Sequence, residues 1–446
     1  MDVILKSYDP SNNEKLGEVH VSSSGEIKNI VTQAYKASSN WYGLGLDGRL
    51  AFIEKAWSGA EPYIQELAQL MSREMGKDIQ RAGGETSGTV HGGPHIAREA
   101  KEALCSRSAG RGTTIEYRPL GVAAVISPWN YPLAMANNLI VPALMAGNTV
   151  VFKPSEETPL VADLFVEILN RVLPPNVLQI IHGCGEQGKI LVESQVNLIA
   201  FTGSQAVGKE IMARAAKDLK RLIMELGGND PMIVLEDADI NAAARFAVAS
   251  AFENAGQMCI STERIYVDEK IADHFESEVT KIASQYRTGP WNMPGINIGP
   301  IVNKAQHEKV VQHIKDAEIK GANILLGGSD QVLPYIQPTV ITGMTTDMIM
   351  ENEETFGPVV AISRFKTIDE AVSRANNSCY GLGAVIFGKK FAKKTATRME
   401  AGMVGINQGV GGAGDAPWVG AKQSGFGFHG SLDGHRQFAQ VRVISG

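Results

Sequence analysis

LIAFTGSQAVGKEIMARAAKDLKRLIMELGGN, residues 198–229, is the stretch that decides the fold. It opens on the apolar run LIAF (198–201), breaks at Gly203 and Ser204, and continues as AVGKEIMARAAKDL (206–219), whose apolar residues recur at helical spacing. It then returns to an apolar run, RLIMEL (221–226). The same alternation extends in both directions. Upstream lie GVAAVIS (121–127), TVVFK (149–153), the helical pattern VADLFVEILNRVL (161–173) and LQIIH (178–182); downstream lies MIVL (232–235). Short apolar runs alternating with amphipathic helices predict an α/β fold, with parallel strands covered by helices on both faces. The strands are continuously apolar rather than alternating, which fits a sheet buried on both sides.

Farther out, GRLAFIEKAW (48–57) and PYIQELAQLMSREM (62–75) read as amphipathic helices, with Pro62 suited to a first helical position. INAAARFAVASAFENAG (240–256) and KAQHEKVVQHIKDAEIKG (304–321) read as helices stopped by Gly256 and Gly321. RQFAQVRVIS (436–445) reads as a strand. The longest apolar stretch, 121–152, contains Pro128, Pro132, Pro142 and Gly147. A bilayer helix needs about 20 mostly apolar residues without such breakers, so this stretch is assigned to buried core.

The 446 residues suggest two or three domains, and 44% hydrophobic with 20% charged residues is ordinary globular composition. A net charge of −6 argues against a nucleic-acid or polyanion binder. The cysteines at 105, 184, 259 and 379 are too far apart for a local redox or zinc motif, and the nine histidines show no metal-ligand spacing. The first residues hold too short an apolar run for a secretory signal. These features predict a reduced, cytoplasmic protein with no metal, no membrane partner and no nucleic-acid partner.

Several local patterns carry chemistry. Gly409, Gly411 and Gly414 match G-x-G-x-x-G without a following helix and fail the dinucleotide test; Gly183, Gly185 and Gly188 match it between a strand and a helix pattern. Gly203 and Ser204 stand where a helix N-terminus offers N–H groups to a pyrophosphate, or simply a cap. Cys259, in ENAGQMCIST (253–262), is a nucleophile or a buried inert thiol. Glu225 ends an apolar strand before Gly227-Gly228, a position for a general base or for an ordinary surface carboxylate. Asn130, in SPWNYP (127–132), is an oxyanion donor or a turn residue.

Seven segments in order settle these alternatives: PWNYP (128–132), FKPSEETP (152–159), FTGS…G (201–208), MELGGNDP (224–231), NAGQMC (254–259), EETFGPV (353–359) and KQSGFG (422–427). Through them the chain resembles the aldehyde dehydrogenase superfamily over essentially its whole length. The resemblance implies an NAD(P)-dependent, non-acylating enzyme in which Cys259 adds to the aldehyde. Asn130 and the Cys259 backbone N–H then hold the oxyanion, and Glu225 activates the water that hydrolyses the thioester. It places Ile126, Trp129, Lys153, Glu156, Gly203, Ser204, Val207, Glu354 and Phe356 at the cofactor, with Phe201 walling the site, and it puts the dinucleotide at the helix after FTGS rather than in the Gly183/Gly185/Gly188 loop. NAD is the expected cofactor, because Glu156 would repel the 2′-phosphate of NADP, the alternative.

The resemblance also implies a Rossmann-like nucleotide-binding domain (1–101 and 120–227), a catalytic α/β domain (228–408) and an oligomerisation element (102–119 and 409–446) of a homodimer or homotetramer. The chain is somewhat short for the family and starts almost at the strand pattern 8–19. Members acting on succinate semialdehyde often carry an Arg six residues before the nucleophile and a second Cys two after it. Here those positions hold Glu253 and Ser261. Neutral aldehydes or amino-aldehydes are therefore expected substrates. A succinate-semialdehyde dehydrogenase and a CoA-acylating relative are the alternatives, the latter disfavoured by Glu225. A non-catalytic descendant is disfavoured by the intact Cys259, Glu225 and Asn130.

Overall fold

The computed structural model describes residues 3–411 and 414–446. In it the stretch 198–229 forms strand Leu198–Thr202, helix Gln205–Ala215 and strand Arg221–Glu225. The helix is shorter than its sequence pattern. After Ala215 the chain tightens into a 3-10 turn, and Leu219 adopts a left-handed conformation that a right-handed helix cannot include. These strands belong to a six-stranded sheet ordered Gly425–Phe426, Arg221–Glu225, Leu198–Thr202, Val122–Ile126, Thr149–Lys153, Leu178–Ile180. All pairings are parallel except at the Gly425–Phe426 edge.

Strand periodicity sorts this sheet's residues onto two cores. Ala123, Val125, Val150, Phe152 and Ala200 join one cluster with Trp41, Trp57 and Phe165; Val122, Ala124, Val151, Ile199 and Phe201 join another with Ile27, Val31 and Ile211. Burial of both faces is why these strands read as continuous apolar runs. The apolar stretch 121–152 becomes strand Val122–Ile126, helix Pro132–Met145 and strand Thr149–Lys153, the helix in the first core and the strands shared between both.

The chain crosses to a second sheet in four residues, 226–229. That sheet has seven strands ordered Asn323–Leu326, Thr339–Thr342, Val359–Phe365, Thr262–Asp268, Asp230–Val234, Gly383–Phe387, Met403–Ile406, parallel apart from the first pair. The predicted tail strand forms over Ala439–Ser445 and pairs antiparallel with Thr113–Pro119, which also pairs with Arg107–Gly110.

Three sequence expectations shift locally. Pro62 falls in a 3-10 turn, Glu61–Tyr63, ahead of helix Ile64–Met75. The helix from Ile240 ends at Phe252 rather than Gly256, because Asn254 and Ala255 are left-handed. The Gly409/Gly411/Gly414 loop includes positions 412 and 413, which lie outside the described residues. No described helix is long and apolar enough to cross a membrane. All four cysteines are free, and among the described residues no group of three His, Cys, Asp or Glu could hold a metal ion.

Candidate active site

The carboxyl ends of the first sheet's strands open on one side, which is where open parallel sheets bind ligands. There lies a cavity of about 620 Å³. Ile126, Asn130, Lys153, Gly203 and Glu225 line it from strand ends and the turns after them; Cys259, Glu354 and Phe356 line it from the second sheet's side. The short 226–229 crossover brings the two groups together.

Cys259 is half-buried and follows a tight turn. Asn254 and Ala255 have φ of 51° and 59°, and Gly256 continues at 73°. A Cβ at Gly256 would sit 2.1 Å from the Gly357 carbonyl oxygen, so close backbone approach demands glycine there. Side-chain bonds hold the turn. Asn254 Nδ2 donates to the carbonyls of Asn130 (3.1 Å) and Gln257 (3.2 Å), Gln257 Nε2 donates to Asn254 O (3.0 Å), and Val302 N donates to Gln257 Oε1 (3.0 Å). Burial, then the neighbouring Glu225 carboxylate, pushes the Cys259 thiol well above the ordinary thiol range.

Glu225 is buried at its strand end, and among the described residues neither carboxyl oxygen finds a hydrogen-bond partner of ordinary geometry. Burial raises its pKa from 4.5 to about 7, opposed by the nearby Cys259 thiol, Trp418 indole and Thr202 hydroxyl. A carboxyl group titrating near neutrality beside a protonated thiol is equipped to accept that thiol's proton. The KQSGFG segment fixes the chain just beyond it. Ser424 Oγ donates to Gly227 O at 2.7 Å, and Leu226 N donates to Ser424 O at 3.0 Å.

Asn130 is buried, and its Nδ2 donates to Gln257 O at 3.0 Å, two residues before Cys259. Its carbonyl accepts from Lys77 Nζ at 2.7 Å. Glu354 Oε1 accepts from Gly228 N at 3.0 Å, and burial raises its pKa. Glu263 Oε2 and Oε1 accept from Thr355 N and Phe356 N, both at 2.8 Å, and so hold the EETFGPV loop. Phe356, at φ 58°, meets Trp129 edge-on, with ring centroids 5.6 Å apart.

The far end of the cavity lies between two helix starts. Ser204 caps helix Gln205–Ala215, its Oγ accepting from Val207 N at 3.4 Å. Lys153 is buried, and its Nζ lies 3.6 Å from Glu156 Oε2. Gly183 precedes helix Gly185–Glu193; Gly185 and Gly188 line the cavity, and a Cβ on Gly185 would meet nothing within 4 Å. A dinucleotide fits this end: bare glycine surface, backbone N–H groups at helix N-termini, and a half-exposed carboxylate at Glu156.

At the opposite end, Glu253 Oε1 accepts from Tyr131 OH at 3.0 Å, and Tyr131 OH also lies 3.6 Å from Met258 Sδ. Glu253 and Tyr131 line both the main cavity and a side cavity of about 410 Å³ bounded by Arg81, Gly84 and Gly88. Among the described residues Lys77 pairs with Glu85 and Arg81 with Asp78, while Glu253 joins no ion pair. Glu253 thus lines the cavity while bonded to the Tyr131 hydroxyl, with the charges of Lys77 and Arg81 nearby.

Sequence reading missed Trp418, Thr202, Lys77, Glu85 and Glu263. Trp418 lines the cavity from a Gly/Pro-rich tail segment that reads as an oligomerisation element, and a lone Trp in such a segment carries no signal. Lys77 stands in the turn before helix Ile79–Leu104 and Glu85 on that helix, both positions where charge usually means solvent.

The chain matches the model of the aldehyde dehydrogenase family over residues 2–444. It is 35% identical over 451 residues to a mitochondrial succinate-semialdehyde dehydrogenase from Arabidopsis thaliana, covering 99% of this chain and 85% of that protein. It is 33% identical to the succinate-semialdehyde dehydrogenase [NADP(+)] GabD of Escherichia coli, covering 98% and 92%. A crystal structure of aldehyde dehydrogenase C from Pseudomonas syringae, complexed with NAD+ and octanal, superposes with a TM-score of 0.93 at 33% identity, covering 99% and 93%. The chain belongs to the aldehyde dehydrogenase family.

Proposed function

We propose that this NAD(P)-dependent aldehyde dehydrogenase oxidises neutral or amino-substituted aldehydes to carboxylic acids, with Cys259 as nucleophile, Glu225 as base and Asn130 as oxyanion donor. The observation that carries the reading is the facing pair: a thiol with its pKa pushed up and a hydrogen-bond-poor carboxyl near pKa 7, in one cavity.

Glu225 accepts the thiol proton as the Cys259 sulfur bonds to the aldehyde carbon. The carbonyl oxygen becomes an oxyanion, stabilised by Asn130 Nδ2 and the Cys259 N–H. The nicotinamide, when bound, supplies the hydride acceptor that turns this adduct into a thioester. Glu225 gives that first proton up to solvent and then takes one from water as the water oxygen bonds to the thioester carbon; the carbon–sulfur bond breaks, and the departing sulfur takes the proton from Glu225, restoring the thiol. Glu354 and Phe356 orient the nicotinamide ribose, Trp129 and Phe201 exclude water, and Ile126, Gly203, Ser204 and Val207 bound the pyrophosphate. Glu156 with Lys153 takes the adenosine ribose hydroxyls. That carboxylate supports NAD over NADP by like-charge repulsion of a 2′-phosphate.

Glu253, which lines the cavity and joins no ion pair among the described residues, supports the substrate class. The named relatives include succinate-semialdehyde dehydrogenases, but a crystallised relative of similar identity holds octanal, so identity alone does not select an anionic substrate. We assign 1–101 and 120–227 to dinucleotide binding and 228–408 to the catalytic domain. We assign 102–119 and 409–446 to the oligomerisation element of a cytoplasmic homodimer or homotetramer, with Trp418 and Gly425–Phe426 turned back to the cavity and the first sheet. The test is NADH formation across a panel of neutral, cationic and anionic aldehydes with no CoA present. NADH formation that needs CoA, or none with any aldehyde, would refute the reading.

A further inference from the structure

The catalytic assignment leaves the most deeply buried ion pair in the molecule unused. The Lys77 and Glu85 side chains are 0% and 2% exposed and bonded to each other. A buried pair contributes little net stability, since apolar residues of the same volume often serve as well or better. Its partners show a different use. Lys77 Nζ donates to Asn130 O at 2.7 Å and sits 3.7 Å from the centre of the Tyr131 ring. Glu85 Oε1 accepts from Leu133 N and Ala134 N, each at 3.1 Å. Those are N–H groups of the first turn of helix Pro132–Met145, whose N-cap residue Tyr131 makes no capping bond of its own. One pair of charges thus ties down 130–134 at three backbone atoms.

The same Asn130 carbonyl accepts from Asn254, in the turn that presents Cys259. Lys77 itself stands at a fixed corner. It follows Gly76, which closes helix Ile64–Met75 at φ 81°, and precedes Asp78, the cap of helix Ile79–Leu104. It lines neither the main nor the side cavity.

We propose that the buried Lys77–Glu85 pair is the positioning device for the oxyanion donor, setting where Asn130 Nδ2 stands relative to Cys259. The proposal rests on the reading of Asn130 given above. A misplacement of about 1 Å in a catalytic constellation costs ~10²-fold in rate. A donor acting through Asn130 must lose its effect when the Asn130 side chain is gone.

The experiment is a double-mutant cycle in kcat. Lys77→Met/Glu85→Gln removes both charges together, so that no buried charge is left unpaired. Glu85→Gln alone preserves shape and is judged by the same criterion should the double variant not fold. Expected are a kcat loss of about 10²-fold for the neutral pair, an unchanged Kd for the dinucleotide, and less than about threefold further loss when the same changes are made in Asn130→Ala. Losses that multiply in the Asn130→Ala background would overturn the positioning role and leave the Asn130 assignment standing. A neutral-pair variant with wild-type kcat would overturn it as well. An Asn130→Ala variant with undiminished kcat would instead refute the oxyanion assignment and, with it, this inference.

Discussion

Glu225→Gln separates what the carboxylate does for catalysis from what it costs the fold. Burial is the main reason its pKa rises from 4.5 to about 7, and the residue is only 4% exposed. A gap of about 2.5 units corresponds to roughly 3 kcal/mol between folded and unfolded protonation equilibria. The folded pKa lies above the unfolded one, so the folded state holds the proton more tightly. The associated stability is complete below about pH 4.5 and is lost as pH rises towards 7. Glutamine stays neutral throughout. The variant should therefore match the parent near pH 4.5 and exceed it at pH 8 by roughly 3 kcal/mol, several degrees in Tm. Activity should move the other way. Parent activity needs the ionised carboxylate and rises with pH through about 7. The variant should lose that limb and fall by ~10²–10⁴ in steady-state turnover. Thermal unfolding at the two pH values, beside a pH–rate profile, tests both halves. A variant no more stable than the parent at pH 8, or one that keeps the limb near pH 7, would refute the reasoning.

Three further outcomes follow from the same geometry. Cys259→Ala should abolish aldehyde oxidation while a dinucleotide titration shows unchanged binding; appreciable residual turnover in purified protein would remove Cys259 from its role. Glu156→Ser should raise kcat/KM for NADP relative to NAD, and a parent protein that already prefers NADP would contradict the reading of that carboxylate. Glu253→Arg should shift the ratio of kcat/KM values toward succinate semialdehyde and away from neutral aldehydes of similar length. Like charges about 4 Å apart at an effective dielectric near 20 repel by about 4 kcal/mol, enough to invert a preference.

The fold was legible where burial shaped composition. Val122–Ile126, Thr149–Lys153 and Leu198–Thr202 are buried throughout and mostly apolar because helices cover both sheet faces. Helix ends were less legible, since Leu219, Asn254 and Ala255 turn left-handed where no glycine or proline announces it. Site residues that touch the cavity stand in short motifs and could be picked out. The residues that hold those motifs in place could not. Glu263 lies in a buried strand, Lys77 in the turn between two helices and Glu85 on a helix, and each acts on backbone atoms from a distance in sequence, bonding residues 48 to 93 positions away.

Strain and restraint coincide in this site for a physical reason. Three of its residues, Asn254, Ala255 and Phe356, are non-glycine residues at positive φ, a conformation that costs about 1–3 kcal/mol each. Buried polar groups hold the two turns that contain them. Asn254 bridges Asn130 and Gln257 through its amide, Gln257 closes back on Asn254, and the Glu263 carboxylate takes the N–H groups of Thr355 and Phe356. An extended or helical path would relieve the strain, but it would carry Cys259 away from the end of Arg221–Glu225 and turn Phe356 from Trp129. The carboxylates brought together here, Glu225, Asp230 and Glu263 at strand ends and Glu354 in the EETFGPV loop, all have raised pKa values because their surroundings are dry. Dryness destabilises each charge, yet it is what makes Glu225 basic enough to take a proton from a thiol or a water near neutral pH. The site's cost and its reactivity thus have one origin: charged side chains carried by buried strands to the gap between two sheets.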